Sequence, residues 1–388
     1  NLIKFTQDVI ELKRISQLIV TNSNKSFEIA SGASSNDAEW LAMSTPLLTA
    51  GIIYGSHTPS VPDFNYIVDM LLTQEVEEFG PLMSADPAAY KEFMIFLQSI
   101  SAPETAASIR TVLAKSLQLF TDPNIGEFIK GVPVKVNYDL LLVDDCEDKE
   151  SDATSSKAEP VNETPEAEWE RYYNPAMLRK EPTVVFLHVP ERESVYLMPL
   201  VSVITQITLN KVIEMSGYPI LFFLDEFANI GLIPNMPNVC ATARSRKVGI
   251  IIALQAIEQL RQLYGVENAN NILNNLKTVV VFGGLKGDSA EWVSKLTGYT
   301  TVTTESISEE DGSIISLVSS QNSGARRSRT ISEQRRELFT PDEVRKLKDD
   351  EVLIIAHNCN PVKDKANAYY KQKKYLRLVP SEVLADLR

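Results

Sequence analysis

Two adjacent carboxylic acids, Asp225 and Glu226, end an unbroken apolar run that begins at Ile220. An apolar run this short, rich in Leu and Phe, predicts a strand that is buried on both faces. Two acids at the end of such a strand are costly to leave without a positive partner. The pattern therefore predicts either a cation site or a strand that ends in a polar turn, and these residues alone leave both open.

The cation interpretation corresponds to the Walker B motif of P-loop nucleotidases. In that motif the first acid holds a magnesium ion through water, and the next acid polarises the water that attacks the phosphate. A cation site at Asp225 and Glu226 requires further polar groups beside them, so the choice depends on the strands and helices that would bring such groups there.

Short apolar segments alternate with helical patterns from residue 182 onward, which is typical of a parallel sheet. The predicted strands are 183–189, 220–224, 248–254, 278–282 and 352–356. The residues that follow them are Pro190, Asp225 with Glu226, Gln255, Gly283 with Gly284, and His357. Because the carboxyl ends of parallel strands line one rim, where ligands bind, we expect the acid pair and Gln255 to lie side by side.

A basic cluster, ATARSRK at 241–247, leads directly into the strand that precedes Gln255. An arginine near a phosphate rim stabilises a transferring phosphoryl group, often from a neighbouring subunit. Basic residues are also favoured at the C-terminus of a helix, because they complement its macrodipole. By itself the cluster favours this second interpretation.

Composition bounds the class of protein. The chain has 388 residues, of which 44% are hydrophobic and 23% charged, as in ordinary soluble globular proteins. We expect no apolar segment long enough to span a bilayer, and the N-terminus has no signal-peptide pattern. Three scattered cysteines and three scattered histidines give little support to a disulfide framework, a zinc site or a nucleophile–histidine pair. A net charge of −13 argues against a surface that coats duplex DNA throughout, but it allows a local basic path.

Helical periodicity dominates the first third of the chain. Residues 1–36 predict an amphipathic helix with a polar loop, and residues 37–125 predict a helical bundle. Asp86 followed by Pro87 predicts a helix start, and Ser101 with Glu104 has capping-box spacing. Residues 144–170 contain eleven acidic side chains against two lysines, which predicts a disordered insertion.

Three segments together resemble the coupling ATPases of type IV secretion, the TraG-like conjugative coupling proteins. They are ILFFLDEFANIG at 220–231, ATARSRKVGIIIALQAIEQLRQLYG at 241–265 and ELFTPDEVRKLKDDEVLII at 337–355. Asn36-Asp-Ala-Glu-Trp40, followed by LLTA at 47–50, is similar to the Trp-containing entry into the all-α domain of this family. The resemblance runs over residues 1–378 apart from the acidic insertion.

The resemblance implies a fold and its boundaries. The fold class is α/β, a P-loop (RecA-like) nucleotidase core with a central, mostly parallel sheet and an inserted all-α domain. Residues 1–36 and 126–388 would form the nucleotide-binding domain, and residues 37–125 the all-α domain that recognises substrate.

The resemblance also implies residue roles and partners. Asp225 would order the magnesium ion, Glu226 would activate water, Arg244 would be the arginine finger and Gln255 the γ-phosphate sensor, with ATP and Mg²⁺ as cofactors. Family members resemble ring-shaped hexamers that drive single-stranded DNA with its attached relaxase into a secretion channel. They act at the cytoplasmic face of the bacterial inner membrane, to which an N-terminal anchor usually holds them.

One departure from the family pattern limits these expectations. A P-loop enzyme needs a GxxxxGK[ST] turn whose amides and lysine cradle the phosphates, and no such sequence occurs in this chain. Gly283-Gly-Leu-Lys-Gly287 has the wrong spacing, and Asn22-Ser-Asn-Lys-Ser26 has no glycine, so both are rejected. We expect the loop and the anchor to lie upstream of Asn1, which makes the chain a cytoplasmic fragment, monomeric and inactive alone.

Two other functions stay open on the sequence. One is an ATPase-silent module that recruits relaxase or relaxosome proteins through the helical bundle. The other is a chromosome-partitioning DNA pump of the same P-loop class. Separately, Arg326, Arg327 and Arg329 could form a basic hairpin tip that contacts single-stranded DNA, although a mobile surface loop is the alternative that we favour there.

Overall fold

The structure is a computed structural model that describes residues 1–32, 38–100, 103–131, 173–309 and 327–376. The acidic segment 144–170, Ser101 and Arg326 lie outside these residues, and so do the predictions made for them. The chain divides into two compact units, Asn1–Leu254 and Gln255–Arg388, which are described separately.

Helices make up the first part of unit one. The bounds are α1 Val9–Ser31, α2 Ala38–His57, α3 Phe64–Thr73, α4 Val76–Met83, α5 Pro87–Ser99, α6 Pro103–Leu117, a 3₁₀ turn at Gln118–Thr121, and α7 Pro123–Gly131. The predicted helix start at Asp86 is confirmed, since its carboxylate accepts hydrogen bonds from the backbone N–H groups of Ala88 and Ala89 at 2.8 and 2.9 Å. Asp8 and Asp63 cap α1 and α3 in the same way.

The apolar stripes of these helices form one core. It takes in buried side chains of α1, α2, α3, α5 and α6, together with Leu200 and Val203 from the helix α8 that follows later in the chain. The predicted helical bundle is thereby observed, and α1 packs within it against both α2 and α8. The proposed domain boundaries at 36 and 125 stay a prediction.

The second part of unit one contains the acid pair. Its elements are 3₁₀ turns at Pro175–Arg179 and Glu191–Glu193, α8 Ser194–Glu214, β1 Ile220–Leu224, α9 Phe227–Ile230, α10 Met236–Thr242, a 3₁₀ turn at Ala243–Arg246, and β2 Val248–Ile252. Strands β1 and β2 pair in parallel, with Ile220 opposite Val248 and Leu224 opposite Ile252. The connection through α9 and α10 supplies the crossover that a parallel pair requires.

The predicted strand at 183–189 is wrong. These residues have no regular secondary structure, and the side chain of Phe186 is 77% exposed. A strand is held by backbone hydrogen bonds to a neighbour, and no strand in the described parts of the chain pairs with this segment.

One helical segment corrects the expectation about membrane spans. Among the described residues, Glu191–Glu214 is long and apolar enough to cross a bilayer, but 67% of its most apolar window is buried inside the structure. A core helix passes the same test of length and composition.

Unit two contains a second, small sheet. Its elements are α11 Ile257–Tyr264, α12 Val266–Asn275, β3 Thr278–Phe282, α13 Gly287–Thr297, β4 Tyr299–Glu309, β5 Arg327–Glu337, α14 Pro341–Arg345, β6 Glu351–Ala356, β7 Val362–Lys365, a 3₁₀ turn at Tyr369–Lys371, and α15 Lys373–Leu376. Strands β3, β6 and β7 are adjacent in that order and antiparallel, while β4 and β5 form a separate antiparallel ribbon.

The strand directions correct part of the predicted rim. Strand β6 runs opposite to β3, with Thr278 facing Ala356 and Phe282 facing Val352. Gly283 and His357 therefore follow opposite ends of this strand pair. The expectation that all the strand ends meet at one rim is wrong for these residues, because only parallel strands share a carboxyl edge.

Candidate functional site

The acid pair lies at the step between β1 and α9. Hydrogen bonds to Ala253 continue the β1–β2 ladder past the last paired residues: the Ala253 N–H donates to the Leu224 carbonyl at 3.0 Å, and the Phe227 N–H donates to the Ala253 carbonyl at 3.1 Å. Phe227 is fully buried, whereas Asp225 and Glu226 are exposed. The carboxylates are therefore held at the carboxyl edge of the parallel pair and face solvent, as a ligand site requires.

Local contacts fix the backbone and side chain of Glu226. Its φ of 44° and ψ of 52° lie in the left-handed region, which is uncommon for a residue other than glycine. The Asn229 amide donates to the Glu226 carboxylate at 2.7 Å, and the Asn229 backbone N–H donates to the Glu226 carbonyl at 2.7 Å. The strained backbone and the two bonds orient this carboxylate, which is the arrangement that a positioned general base needs.

Asp225 has the chemistry of a magnesium ligand. Its Oδ1 accepts the Glu226 backbone N–H at 3.1 Å, and this bond tethers the carboxylate at the exposed strand end. Mg²⁺ is usually held by one or two carboxylates together with waters and substrate phosphates. An exposed Asp beside a strand terminus fits that donor set. Within the described residues no group of three His, Cys, Asp or Glu side chains converges to form a closed metal cage.

The structure separates Arg244 from the acid pair. Arg244 is exposed on the 3₁₀ turn Ala243–Arg246, which leads into the amino end of β2. Asp225 follows the carboxyl end of β1, and the two strands are parallel over five paired positions. Arg244 and Asp225 thus belong to opposite edges of the strand pair, which is about 16 Å long at the usual rise per strand residue.

A buried arginine that sequence patterns did not single out holds this region together. Arg179 is 2% exposed, and its guanidinium donates to the carbonyls of Val212 at 2.8 Å, Tyr218 at 2.7 Å and Arg246 at 2.8 Å. These carbonyls belong to the end of α8, the loop before β1 and the turn that carries Arg244. Burial lowers the pKa of Arg179 from its ordinary value, although a guanidinium stays charged at any physiological pH.

A second missed residue, Asn22, joins the site to the helical bundle. Asn22 is fully buried on α1, where its amide donates to the Leu232 carbonyl at 3.0 Å and its oxygen accepts the Leu232 N–H at 2.7 Å. Leu232 lies two residues beyond α9. The sequence contained a signal for this residue. Asn22 continues the helical spacing of the apolar residues Ile15, Leu18 and Ile19, so a polar side chain lies on the core face of α1.

Gln255 opens unit two. It is exposed and comes two residues after Ala253 in the chain. Its placement beside the acid pair, and its role as phosphate sensor, stay predictions.

The glycine-rich segment before α13 does not have the geometry of a phosphate loop. A Cβ at Gly283 would lie 2.3 Å from the Leu347 carbonyl oxygen, so this glycine allows close packing of backbone. The Glu258 carboxylate accepts the Ser289 hydroxyl at 2.6 Å at the start of α13. Burial by itself raises the pKa of Glu258, but the bonds from the Ser289 side chain and from backbone amides lower it below the ordinary value. The Glu258 carboxylate thus occupies the N-terminus of α13, where a phosphate would bind in a phosphate loop.

Comparison with solved structures defines the class of fold. The chain is similar to the unbound bacterial conjugative coupling protein TrwBdeltaN70, with a TM-score of 0.60, 15% identity, and coverage of 93% of this chain and 68% of that one. It is similar to the plasmid coupling protein TrwB in complex with ADP and Mg²⁺, with a TM-score of 0.57, 15% identity, and coverage of 95% and 72%. These likenesses confirm the predicted fold class, an α/β, RecA-like fold with an all-α domain.

Sequence comparison then gives the family. Residues 173–385, more than half of the chain, match the family described as Type IV secretory system Conjugative DNA transfer, and the chain belongs to this family. VirD4 of Rhizobium radiobacter is 24% identical over 207 residues, which cover 52% of this chain and 28% of that protein. The conjugal transfer protein TraG of the same organism is 29% identical over 148 residues, which cover 37% and 21%. The chain therefore spans less than a third of the length of these relatives.

Proposed function

We propose that this chain is part of an ATP-driven motor that delivers DNA with its attached relaxase to a type IV secretion channel. The observation that carries the proposal is the exposed pair Asp225 and Glu226 at the carboxyl end of the parallel strand β1. TrwB structures in complex with an ATP analogue and with ADP and Mg²⁺ support nucleotide and magnesium as the ligands.

In the proposed mechanism, Asp225 would hold Mg²⁺ through water, and the ion would neutralise charge on the phosphates of ATP. Glu226 would accept a proton from the water that attacks the γ-phosphate, and the hydrogen bond from Asn229 orients its carboxylate. In the family pattern, Gln255 would sense the γ-phosphate. These roles follow the family pattern at the matching positions of this chain.

Arg244 acts on a neighbouring subunit in this proposal. Its exposed turn lies at the amino edge of the strand pair, about 16 Å along the strands from the acid pair of the same chain. An arginine finger supplied in trans needs that arrangement, and a ring of six copies would provide it. The proposed site of action is the cytoplasmic face of the bacterial inner membrane.

The helical bundle favours a second candidate function, a recruitment module without ATPase activity. Helices α1, α2 and α5 border a groove of about 590 Å³. Val20, Leu41 and Pro46 line it together with polar and charged side chains, which include the 2.5 Å ion pair between Lys13 and Glu92. Such a groove suits a segment of a relaxosome protein. The lack of a GxxxxGK[ST] sequence in the chain favours this function for the chain alone.

Steady-state ATPase activity, with and without single-stranded DNA, separates the two functions. It is measured on this chain and on the protein as its gene encodes it. We expect activity only in a form that carries a phosphate-binding loop, and a loss of about 100-fold or more in kcat for Glu226→Gln. Glu214→Gln, an exposed acid at the end of α8, is the matched control and keeps its activity. Absence of activity in every form would contradict the motor and favour recruitment.

A further inference from the structure

The last described segment of unit two concentrates aromatic and basic side chains. Residues 366–376 contain three lysines, three tyrosines and no Asp or Glu, in a chain whose net charge is −13. We define the tyrosine-lysine patch as Tyr369, Tyr370, Lys371, Lys373, Lys374 and Tyr375. All six residues are exposed, and the three tyrosines are 45%, 53% and 37% exposed.

The backbone presents this patch on a fixed support. Strand β7 pairs with β6, and just beyond it the Ala366 N–H donates to the Asp350 carbonyl at 2.7 Å. The 3₁₀ turn Tyr369–Lys371 and the short helix α15 follow, and the Gln372 N–H donates to the Tyr369 carbonyl at 3.0 Å. The backbone that carries the rings is therefore ordered before a ligand arrives, which reduces the ordering cost of binding.

The side chains of the patch are arranged as ring and ammonium pairs. The ring centroids of Tyr369 and Tyr370 lie 5.6 Å apart at an interplanar angle of 82°. Lys371 Nζ lies 5.8 Å from the Tyr370 ring, and Lys374 Nζ lies 5.9 Å from the Tyr375 ring. In the part of the chain that the structure describes, no ion pair joins these lysines to an acid.

Three arginines of the β4–β5 ribbon, by contrast, are engaged within the protein. Arg329 forms an ion pair with Glu305, Arg336 forms one with Glu343, and the Arg335 guanidinium lies 3.6 Å from the centroid of the Tyr299 ring. The ribbon is thus a weaker surface for a polyanion than the tyrosine-lysine patch.

We propose that the tyrosine-lysine patch binds single-stranded nucleic acid, with bases stacked on the tyrosine rings and phosphates beside the lysines. Every base has an aromatic face, so such a surface binds without a sequence requirement. Duplex DNA does not fit, because its bases are stacked on each other and closed to the rings. The inference deepens the proposed function, on which it rests for the substrate class, by assigning a contact surface to the transported strand.

Fluorescence anisotropy on this chain, without nucleotide, tests the proposal. The probe is a labelled oligothymidylate of about 16 nucleotides, within the usual site sizes for such surfaces. We expect Tyr370→Ala to weaken binding by about 5- to 150-fold, the range for loss of one stacked base, while Tyr370→Phe binds as the unsubstituted chain does. Tyr66→Ala, an exposed tyrosine of the helical bundle, is the matched control and leaves affinity unchanged.

Charge and stacking are then measured separately. Replacing Lys371, Lys373 and Lys374 by Gln should lower the slope of log K against log salt by about 2, at roughly 0.7 per phosphate contact. An abasic strand of equal length should bind the unsubstituted chain at least as weakly as the oligothymidylate binds Tyr370→Ala, because it offers no base to any of the three rings. Circular dichroism and thermal melting verify that each variant is folded.

Three results of the strand-binding assay would overturn the proposal: equal affinity for the abasic strand, no effect of Tyr370→Ala, or an equal effect of Tyr66→Ala. Binding to phosphatidylserine vesicles, lost in the same variants and without strand binding, would instead assign the patch to a membrane surface and also overturn it. Because this assay needs no ATP, its failure is distinct from absence of ATPase activity, which would contradict only the proposed motor.

Discussion

At the scale of single residues, Arg179 has the largest structural role that we find at the amino edge of the β1–β2 pair, beside the turn that carries Arg244. Its guanidinium binds three backbone carbonyls from different segments. A lysine has one compact ammonium and cannot reproduce the planar fork, so Arg179→Lys leaves buried carbonyls without donors. We expect the free energy of unfolding to fall by about 2 to 3 kcal/mol, measured by urea denaturation with circular dichroism.

The matched control at this scale is Arg192→Lys. The Arg192 side chain is 89% exposed and pairs only with Glu193 in the described structure, so the same exchange should change stability by less than about 0.5 kcal/mol. Equal effects of the two exchanges would show that the hydrogen bonds of the buried Arg179 guanidinium do not contribute measurably to the free energy of unfolding.

At the scale of elements, an ion pair joins the end of α2 to the start of α5. His57 Nδ1 lies 2.5 Å from Asp86 Oδ2, and His57 Nε2 lies 3.0 Å from the Gln7 carbonyl. Burial by itself lowers the pKa of His57, but the bonds to Asp86 and Gln7 and the charge of Asp86 raise it above its ordinary value. Burial raises the pKa of Asp86, but the Ala89 amide, His57 and the Ala88 amide lower it overall.

These opposite shifts predict how stability depends on pH. His57 contributes fully to folding stability below about pH 6.5, which is its pKa in the unfolded chain. This contribution is lost as pH rises through the higher pKa of His57 in the folded protein. Asp86 contributes fully to folding stability above about pH 4, which is its pKa in the unfolded chain. This contribution is lost as pH falls through the lower pKa of Asp86 in the folded protein. We therefore expect His57→Gln to remove up to about 1 kcal/mol near pH 6 and less above pH 8, measured by urea denaturation across pH.

His188→Gln is the control for this pH dependence, since His188 is exposed in the irregular segment 182–190. It should leave the change in stability between pH 6 and pH 8 as it is in the unsubstituted protein. If His57→Gln also left the stability difference between pH 6 and pH 8 unchanged, the ion pair between α2 and α5 would not contribute to the pH dependence of stability.

At the scale of the whole molecule, the position of Arg244 predicts how copies cooperate. A site made in trans combines Glu226 from one subunit with Arg244 from the next. Mixing inactive Glu226→Gln and Arg244→Ala subunits of the form that hydrolyses ATP, in equal amounts, should therefore restore intact sites at roughly a quarter of the interfaces of a ring. The measurement is ATPase activity of the mixture against each variant alone.

Mixtures of Glu226→Gln with Asp225→Asn provide the control, because both substitutions damage the same acid pair and no interface regains a complete site. Recovery of ATPase activity in that mixture would contradict an arginine finger that acts in trans. Absence of recovery in the mixture of Glu226→Gln with Arg244→Ala would contradict it as well. This prediction depends on the proposed function, since it requires an assembly that hydrolyses ATP.

Much of the site could be predicted because its signals are local. The apolar run before Asp225 sets the strand β1, Asp86 with Pro87 sets the start of α5, and the segments around Asp225 and Arg244 carry the family resemblance. Periodicity, capping and the change from apolar to acidic residues act between neighbours in sequence, so they can be read without tertiary structure.

The tertiary structure alone decided the features that depend on distant groups. The direction of β6 against β3, and the absence of a strand at 183–189, depend on which neighbour supplies backbone hydrogen bonds. The pairing of Asn22 with Leu232 joins residues 210 positions apart, and Arg179 binds carbonyls from three separate segments. The sequence by itself determined the family and the position of the acid pair at the end of β1, while folding determined the partners of the buried polar groups, because a buried donor must find whichever acceptor the packed chain brings to it.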